Sequence, residues 1–131
     1  MRLSHAEHNE ALCNLILKDG NFNDWAITTA FYAALHFAQH KIFPFKQGRK
    51  VFKDLNHYYF QHLVKSGKRI SKHQTMIGLV RSSLPKSYSS YRWLLDASQT
   101  ARYNDYRVSK EKAFKSWERM QLVKNEVCSS T

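Results

Sequence analysis

Apolar residues recur along this chain at three- and four-residue spacing, the period of helices that pack by one face. Ser4 and Glu7 have the spacing of a capping box and predict the start of a first helix. Its apolar stripe is Leu12, Leu15 and Ile16, and Lys18-Asp19-Gly20-Asn21 ends it. A second helix begins after Asn23 or Asp24 and runs to about Ile42, where Phe43-Pro44-Phe45 stops it. Nearly all its faces are apolar or small (Ala26, Ala30, Ala33, Ala34, Phe37), which predicts a buried central helix with close neighbours. A third helix is predicted over residues 49–65, with Phe52, Leu55, Tyr59 and Leu63 inward, ending at Gly67. A shorter helical segment covers residues 71–82 and is followed by Pro85. Residues 87–103 are periodic through Tyr91, Leu94, Leu95 and Ser98. Ser109 caps the last helix, which carries Ala113, Trp117, Met120, Gln121 and Lys124 towards Val127, with Leu122 and Val123 adding apolar surface. A frayed tail is expected from about residue 128. No segment alternates with period two. The expectation is all-α: an antiparallel helical bundle of about five helices, forming one domain over residues 1–131.

With only four Gly and two Pro in 131 residues, breakers are few, and a chain of this length buries a core without staples. The two cysteines, Cys13 and Cys128, form no Cys-x-x-Cys pair, so neither a disulfide framework nor a zinc knuckle is expected. Met1-Arg2-Leu3-Ser4-His5 lacks the apolar run of a secretion signal. The most apolar stretch, residues 25–37, is too short for a bilayer and is interrupted by Thr28, Thr29 and His36. These features predict a reduced, cytoplasmic protein.

Charge changes the picture more than composition does. Between Trp25 and Leu95 there are twelve Lys or Arg residues and a single acid, Asp54, and this middle segment carries the whole formal excess of +11. Such a field costs self-repulsion and attracts polyanions by releasing their condensed counterions. Phosphate-bearing partners are therefore the leading class. Tyr58, Tyr59, Phe60, Tyr88 and Tyr91, interleaved with Lys53, Lys65, Arg81, Lys86 and Arg92, offer base-stacking surfaces, although core packing is expected to take at least half of these rings.

Several chemistries are excluded. His36 and His40, four apart, could reach one metal ion, but that helix carries no acid beyond its start. A third ligand would have to come from His57, His62 or His73, and no metal or other cofactor is expected. There is no Gly-x-Ser-x-Gly, no phosphate-cradling Gly loop, and no basic neighbourhood to activate Cys13. Paired carboxylates are impossible in a segment holding only Asp54. What remains is Ala101-Arg102-Tyr103-Asn104-Asp105-Tyr106-Arg107, between the last two helices. It can fold the Arg102 guanidinium over a phosphate. It can equally be an interhelix plug in which Tyr103 and Tyr106 close the bundle and Arg102 pairs with Asp105.

In order and spacing, these pieces resemble the HEPN superfamily (higher eukaryotes and prokaryotes nucleotide-binding). Phe31-Tyr32-Ala33-Ala34-Leu35-His36-Phe37-Ala38 is similar to the family's second-helix pattern, Leu55-Asn56-His57 to its third-helix His, and Arg102-Tyr103-Asn104-Asp105-Tyr106 to the Arg…Asp-Tyr pattern before the final helix. The resemblance spans roughly residues 5–127. It implies a helical domain, a homodimer, and either a metal-independent endoribonuclease or a binding module, often in a toxin–antitoxin or defence context. It also implies, as a partner, a small nucleotidyltransferase. Catalytic members carry an Arg and a His with four to six residues between them. Here Arg102 matches the Arg, but Arg107, Val108 and Ser109 fill the His positions and no His follows His73. The resemblance thus implies a branch lacking the motif. Arg102 would donate to a phosphate, Asp105 would orient it, and Tyr106 would give a hydroxyl or a stacking face. Acid–base help would have to come from a displaced His36 or His57. Three functions follow: a catalytically degenerate module binding RNA or a nucleotide through Arg81, Lys86, Arg92, Arg102, Asp105 and Tyr106; an endoribonuclease using Arg102 with a displaced His; and a protein-interaction subunit of a nucleotidyltransferase.

Overall fold

A computed structural model describes residues Arg2–Ser129. Helix α1 (Arg2–Asp19) starts before the predicted cap, so Ser4 and Glu7 lie inside its first turns. Its apolar stripe is also not the expected one. Ala6 and Cys13 are fully buried with Leu3 and Leu17 beside them, while Leu12 and Leu15 are 40% and 67% exposed. Helix–helix separation depends on the side chains at the contact. Small residues on α1 meet the alanine-rich face of α2 (Asn23–Ile42) closely enough for the Cys13 thiol to donate to the Ala26 carbonyl at 3.4 Å.

Helix α2 is the buried centre, with Ala26, Ala30, Phe31, Ala34 and Phe37 at zero exposure. Helix α1 runs antiparallel to it, placing Arg2 against the Gln39 carbonyl at 3.2 Å. After a cis Phe43–Pro44 bond comes a hairpin where a third helix was predicted to begin. Strands β1 (Phe45–Gln47) and β2 (Lys50–Phe52) are antiparallel, with Phe45 opposite Phe52. Gly48 takes φ +63 at the first central position of the two-residue turn, a conformation open to glycine. Asp54, not residue 49, then starts α3 (Leu55–Tyr58): its Oδ1 accepts the His57 amide at 2.8 Å. The helix continues as a π-helical turn, Tyr59–Val64, towards Gly67. Phe52, Tyr58 and Leu63 are buried here, Leu55 and Tyr59 only partly.

Ser71 and Gln74 form a capping box for α4 (Lys72–Ser83). A 3₁₀ turn, Pro85–Ser87, leads into α5 (Tyr88–Tyr103), whose Tyr91, Leu94, Leu95 and Ser98 are buried as predicted. The final helix, α6 (Lys110–Ser129), buries Ala113, Ser116, Met120, Val123 and Val127. It keeps helical structure through Cys128 and Ser129, where fraying was expected; residues 130 and 131 lie outside the described residues. Its Lys124 reaches back to Glu10 of α1 at 2.9 Å, and its Trp117 Nε1 donates to Asn14 at 2.7 Å. The fold is an all-α helical bundle, with six helices among the described residues and one short hairpin. None of these helices is long and apolar enough to cross a membrane.

Candidate nucleic-acid interface

Arg102 sits one residue before the end of α5, on a turn whose other side, Ala97, Ser98 and Ala101, is buried. That register brings its half-buried side chain against α2. Nε donates to the Ser98 carbonyl at 3.3 Å and Nη1 to the Tyr32 hydroxyl at 3.0 Å. The guanidinium carbon lies 5.6 Å from the Tyr32 ring centre and 5.2 Å from that of Tyr103. Ring faces and neutral oxygens fix the group's orientation without cancelling its charge. Among the described residues no carboxylate forms an ion pair with Arg102.

Asp105 is therefore not the residue that orients Arg102. Its Oδ1 accepts the Arg107 amide at 2.9 Å and Nε at 3.1 Å, and Oδ2 accepts Nη2 at 3.2 Å. The chain leaves the helix at Asn104, and an Asx-type turn closes Asp105 onto the residue two positions on. The Arg107 guanidinium holds the Asp105 carboxyl below the usual carboxylate range. Tyr106 is 71% exposed and makes no ring contact with Arg102; Tyr103 supplies that ring instead.

The two histidines expected to assist Arg102 lie elsewhere. His36 stacks on His5 of α1, with ring centres 3.8 Å apart. The His57 Nδ1 accepts the Lys53 amide at 3.2 Å, and its ring lies edge-on to Phe52. The imidazole near Arg102 is His73, on the first turn of α4 and 6.1 Å from the Phe31 ring. Burial lowers the His73 pKa, and the charge of Arg102 lowers it further. Its spacing held the signal: His73 precedes the buried Met76 and Val80 by three and seven residues, placing it at the edge of the α4 core stripe.

Comparison with models of known protein families and with curated proteins finds no match to this chain.

The predicted binding residues Arg81 and Arg92 do come together. Arg81 Nη2 and Arg92 Nη1 both donate to the Tyr88 hydroxyl, at 2.8 and 3.2 Å. The Arg81 guanidinium also lies over the Tyr88 ring at 4.7 Å. These donors lower the Tyr88 pKa, since two cations favour the phenolate. Lys86 is exposed but stands outside this pair; its backbone amide donates to Glu126 at 3.3 Å. Of the expected stacking rings, Tyr58 and Tyr91 are buried in the core, whereas Phe60 is 48% exposed with Lys72 Nζ 4.9 Å from its centre. All nine Lys and Arg residues from Lys41 to Lys72 are exposed.

Among the described residues no three His, Cys, Asp or Glu side chains converge closely enough to hold a metal ion. Burial pushes the Cys13 thiol up to about 11, so it is no nucleophile at neutral pH.

Proposed function

We propose that this chain is a basic, HEPN-like helical module that binds RNA through phosphate contacts centred on Arg102, without cleaving it. One observation carries the reading: a fixed guanidinium whose neighbours are a phenol, a carbonyl and two ring faces, with no carboxylate among the described residues paired to its charge. A phosphodiester supplies the missing anion, and the fork of guanidinium donors suits it. Arg81 and Arg92 support the reading, because their shared phenol is a weaker acceptor than a phosphate oxygen. Tyr103, 75% exposed beside Arg102, gives a face on which a base can stack. A nucleotide fills the same role in reduced form. The HEPN resemblance adds a homodimer, a nucleotidyltransferase partner and a toxin–antitoxin or defence setting to the proposal. Fluorescence anisotropy with a labelled single-stranded RNA tests it: Arg102→Ala weakens binding about tenfold or more, the worth of one charge-assisted contact. Equal affinity in that variant refutes it.

A second reading, a metal-independent endoribonuclease, is favoured by His73. It would be the displaced imidazole that Arg102 lacks in sequence, and burial and the charge of Arg102 both favour its neutral form, which can accept a proton from a ribose 2′-hydroxyl. Incubation with total RNA in EDTA separates the two readings. Cleavage lost in both Arg102→Ala and His73→Gln establishes the second; intact RNA at large protein excess removes it.

A further inference from the structure

A separate cleft of about 490 Å³ is lined by Arg2, His5, His36, Gln39, Lys53 and Asp54, where the start of α1 meets the end of α2 and the corner after β2. None of these residues belongs to the Arg102 site. We infer that this cleft is a second anion site that takes a phosphomonoester.

Three features carry the inference. The Arg2 guanidinium is clamped by two backbone carbonyls, Gln39 at 3.2 Å and Lys53 at 3.1 Å, and lies 5.9 Å from the Phe43 ring centre. A guanidinium has five donors, so this fixed cation keeps donors to spare, and no carboxylate pairs with it among the described residues. The His5 and His36 rings stack at 3.8 Å with 19° between their planes. The His5 ring opposes a charge on His36, and a bound anion offsets that opposition. The acid in the lining, Asp54, is turned to its own helix, with Oδ1 on the His57 amide at 2.8 Å. The corner is locked again by the Lys53 amide on His57 Nδ1 at 3.2 Å.

The charge arithmetic favours a dianion over a diester. Arg2 and Lys53 against Asp54 leave one positive charge, rising to two when His36 protonates. A monoester carries close to two negative charges at pH 7, a diester one. The volume suits a nucleotide-sized ligand rather than a bare ion. Burial and the neighbouring His5 both lower the His36 pKa, and a bound anion opposes that shift by favouring the imidazolium. Binding therefore takes up a proton and tightens as pH falls. The groups facing His36 are His5 and Arg2 on α1 and Lys53 and Asp54 on the corner, with His40 one turn along α2.

The test is imidazole NMR of the full chain titrated with sulfate, whose charge is fixed between pH 5.5 and 8, and with adenosine 5′-monophosphate. The His5 and His36 resonances shift saturably, and sulfate binds severalfold tighter at pH 5.5 than at pH 8, as uptake of a linked proton implies. Arg2→Gln and the exposed-site variant Lys53→Ala each weaken the binding read at His5 and His36 severalfold, whereas Lys65→Ala, an exposed lysine outside the cleft, leaves it unchanged. An RNA bearing a 5′-phosphate and the free nucleotide both bind if the phosphomonoester alone is read; preference for the RNA assigns the site to a chain end. With RNA binding at Arg102 removed by Arg102→Ala, an equal response of the His5 and His36 resonances to a 5′-hydroxyl RNA, or imidazoles that do not respond to sulfate or nucleotide, overturns the inference. Failure of RNA binding through Arg102 leaves it intact, because the two sites share no residue.

Discussion

Removing the Arg81–Arg92 pair should change how RNA binding responds to salt more than it changes the fold. Both guanidiniums are at the surface and converge on one phenol, 2.8 and 3.2 Å from its oxygen. If each neutralises one phosphate, and Arg102 a third, binding to single-stranded RNA depends on salt with a slope of about −2.1, at about 0.7 per contact. Raising salt from 50 to 200 mM then weakens the wild type about 20-fold. The double variant Arg81→Gln/Arg92→Gln keeps one contact, a slope of about −0.7 and a loss of about threefold over the same range. Tyr88→Phe serves as the control: it removes the phenol but neither cation, so the slope stays at the wild-type value. Anisotropy titrations at four or five salt concentrations measure all three, with thermal unfolding to show that the variants remain folded. A double variant with the wild-type slope refutes the reasoning, because the pair would then contact no phosphate.

Other consequences follow from the packing. Glu10, only 13% exposed in its side chain, accepts from Lys124 at 2.9 Å and from Gln121 at 2.5 Å, tying α1 to α6. Glu10→Gln should cost about 1–2 kcal/mol, between the exposed and buried limits for such pairs, read as a Tm lowered by about 4–8 °C; no change in Tm would show the tie to be idle. The Tyr91 hydroxyl is buried with no hydrogen-bond partner among the described residues, and burial raises its pKa. Tyr91→Phe should therefore stabilise the fold by about 1 kcal/mol in urea unfolding, and a loss of stability would mean the hydroxyl has a partner. The lowered His36 and His73 pKa values mean that the unfolded chain binds these protons at higher pH than the folded one. Stability is then full above about pH 6.5 and is lost as pH falls through the folded values. A His36→Gln/His73→Gln variant should lose less between pH 8 and pH 5.5 than the wild type, and an equal loss contradicts the assignment.

Helices α2 and α5 were legible because their inward positions repeat at helical spacing with no competing pattern: alanines at 26, 30, 33 and 34, and Tyr91, Leu94, Leu95 and Ser98. Helix α1 misled for a physical reason. Leu12 and Leu15 extend the apparent apolar stripe, but the close approach to α2 selects the face of Ala6 and Cys13, with Leu3 and Leu17 at its two ends. The hairpin escaped because three-residue strands are too short to show alternation; its signal was Gly48, which supplies a positive φ at the turn. At the candidate site, Arg102 could be picked out as a basic residue near a helix end, but its partners could not. Tyr32 lies 70 residues away in the chain, and whether Asp105 turns to Arg102 or to Arg107 depends on where α5 ends. The spacing of His73 marks it as bordering the α4 core stripe, but that it comes under the charge of Arg102 depends on how α4 packs on α5.

The central claim, that Arg102 holds an RNA phosphate, is tested most directly by following its Nε–H resonance while a short single-stranded RNA is added. A phosphate held by Arg102 gives a saturable shift of that resonance with the Kd found by anisotropy, and Arg102→Lys, which cannot present the same fork of donors, weakens binding in the anisotropy assay. An Arg102 signal that stays fixed while those of Arg81 and Arg92 move would contradict it, leaving this guanidinium as a strut between α5 and α2.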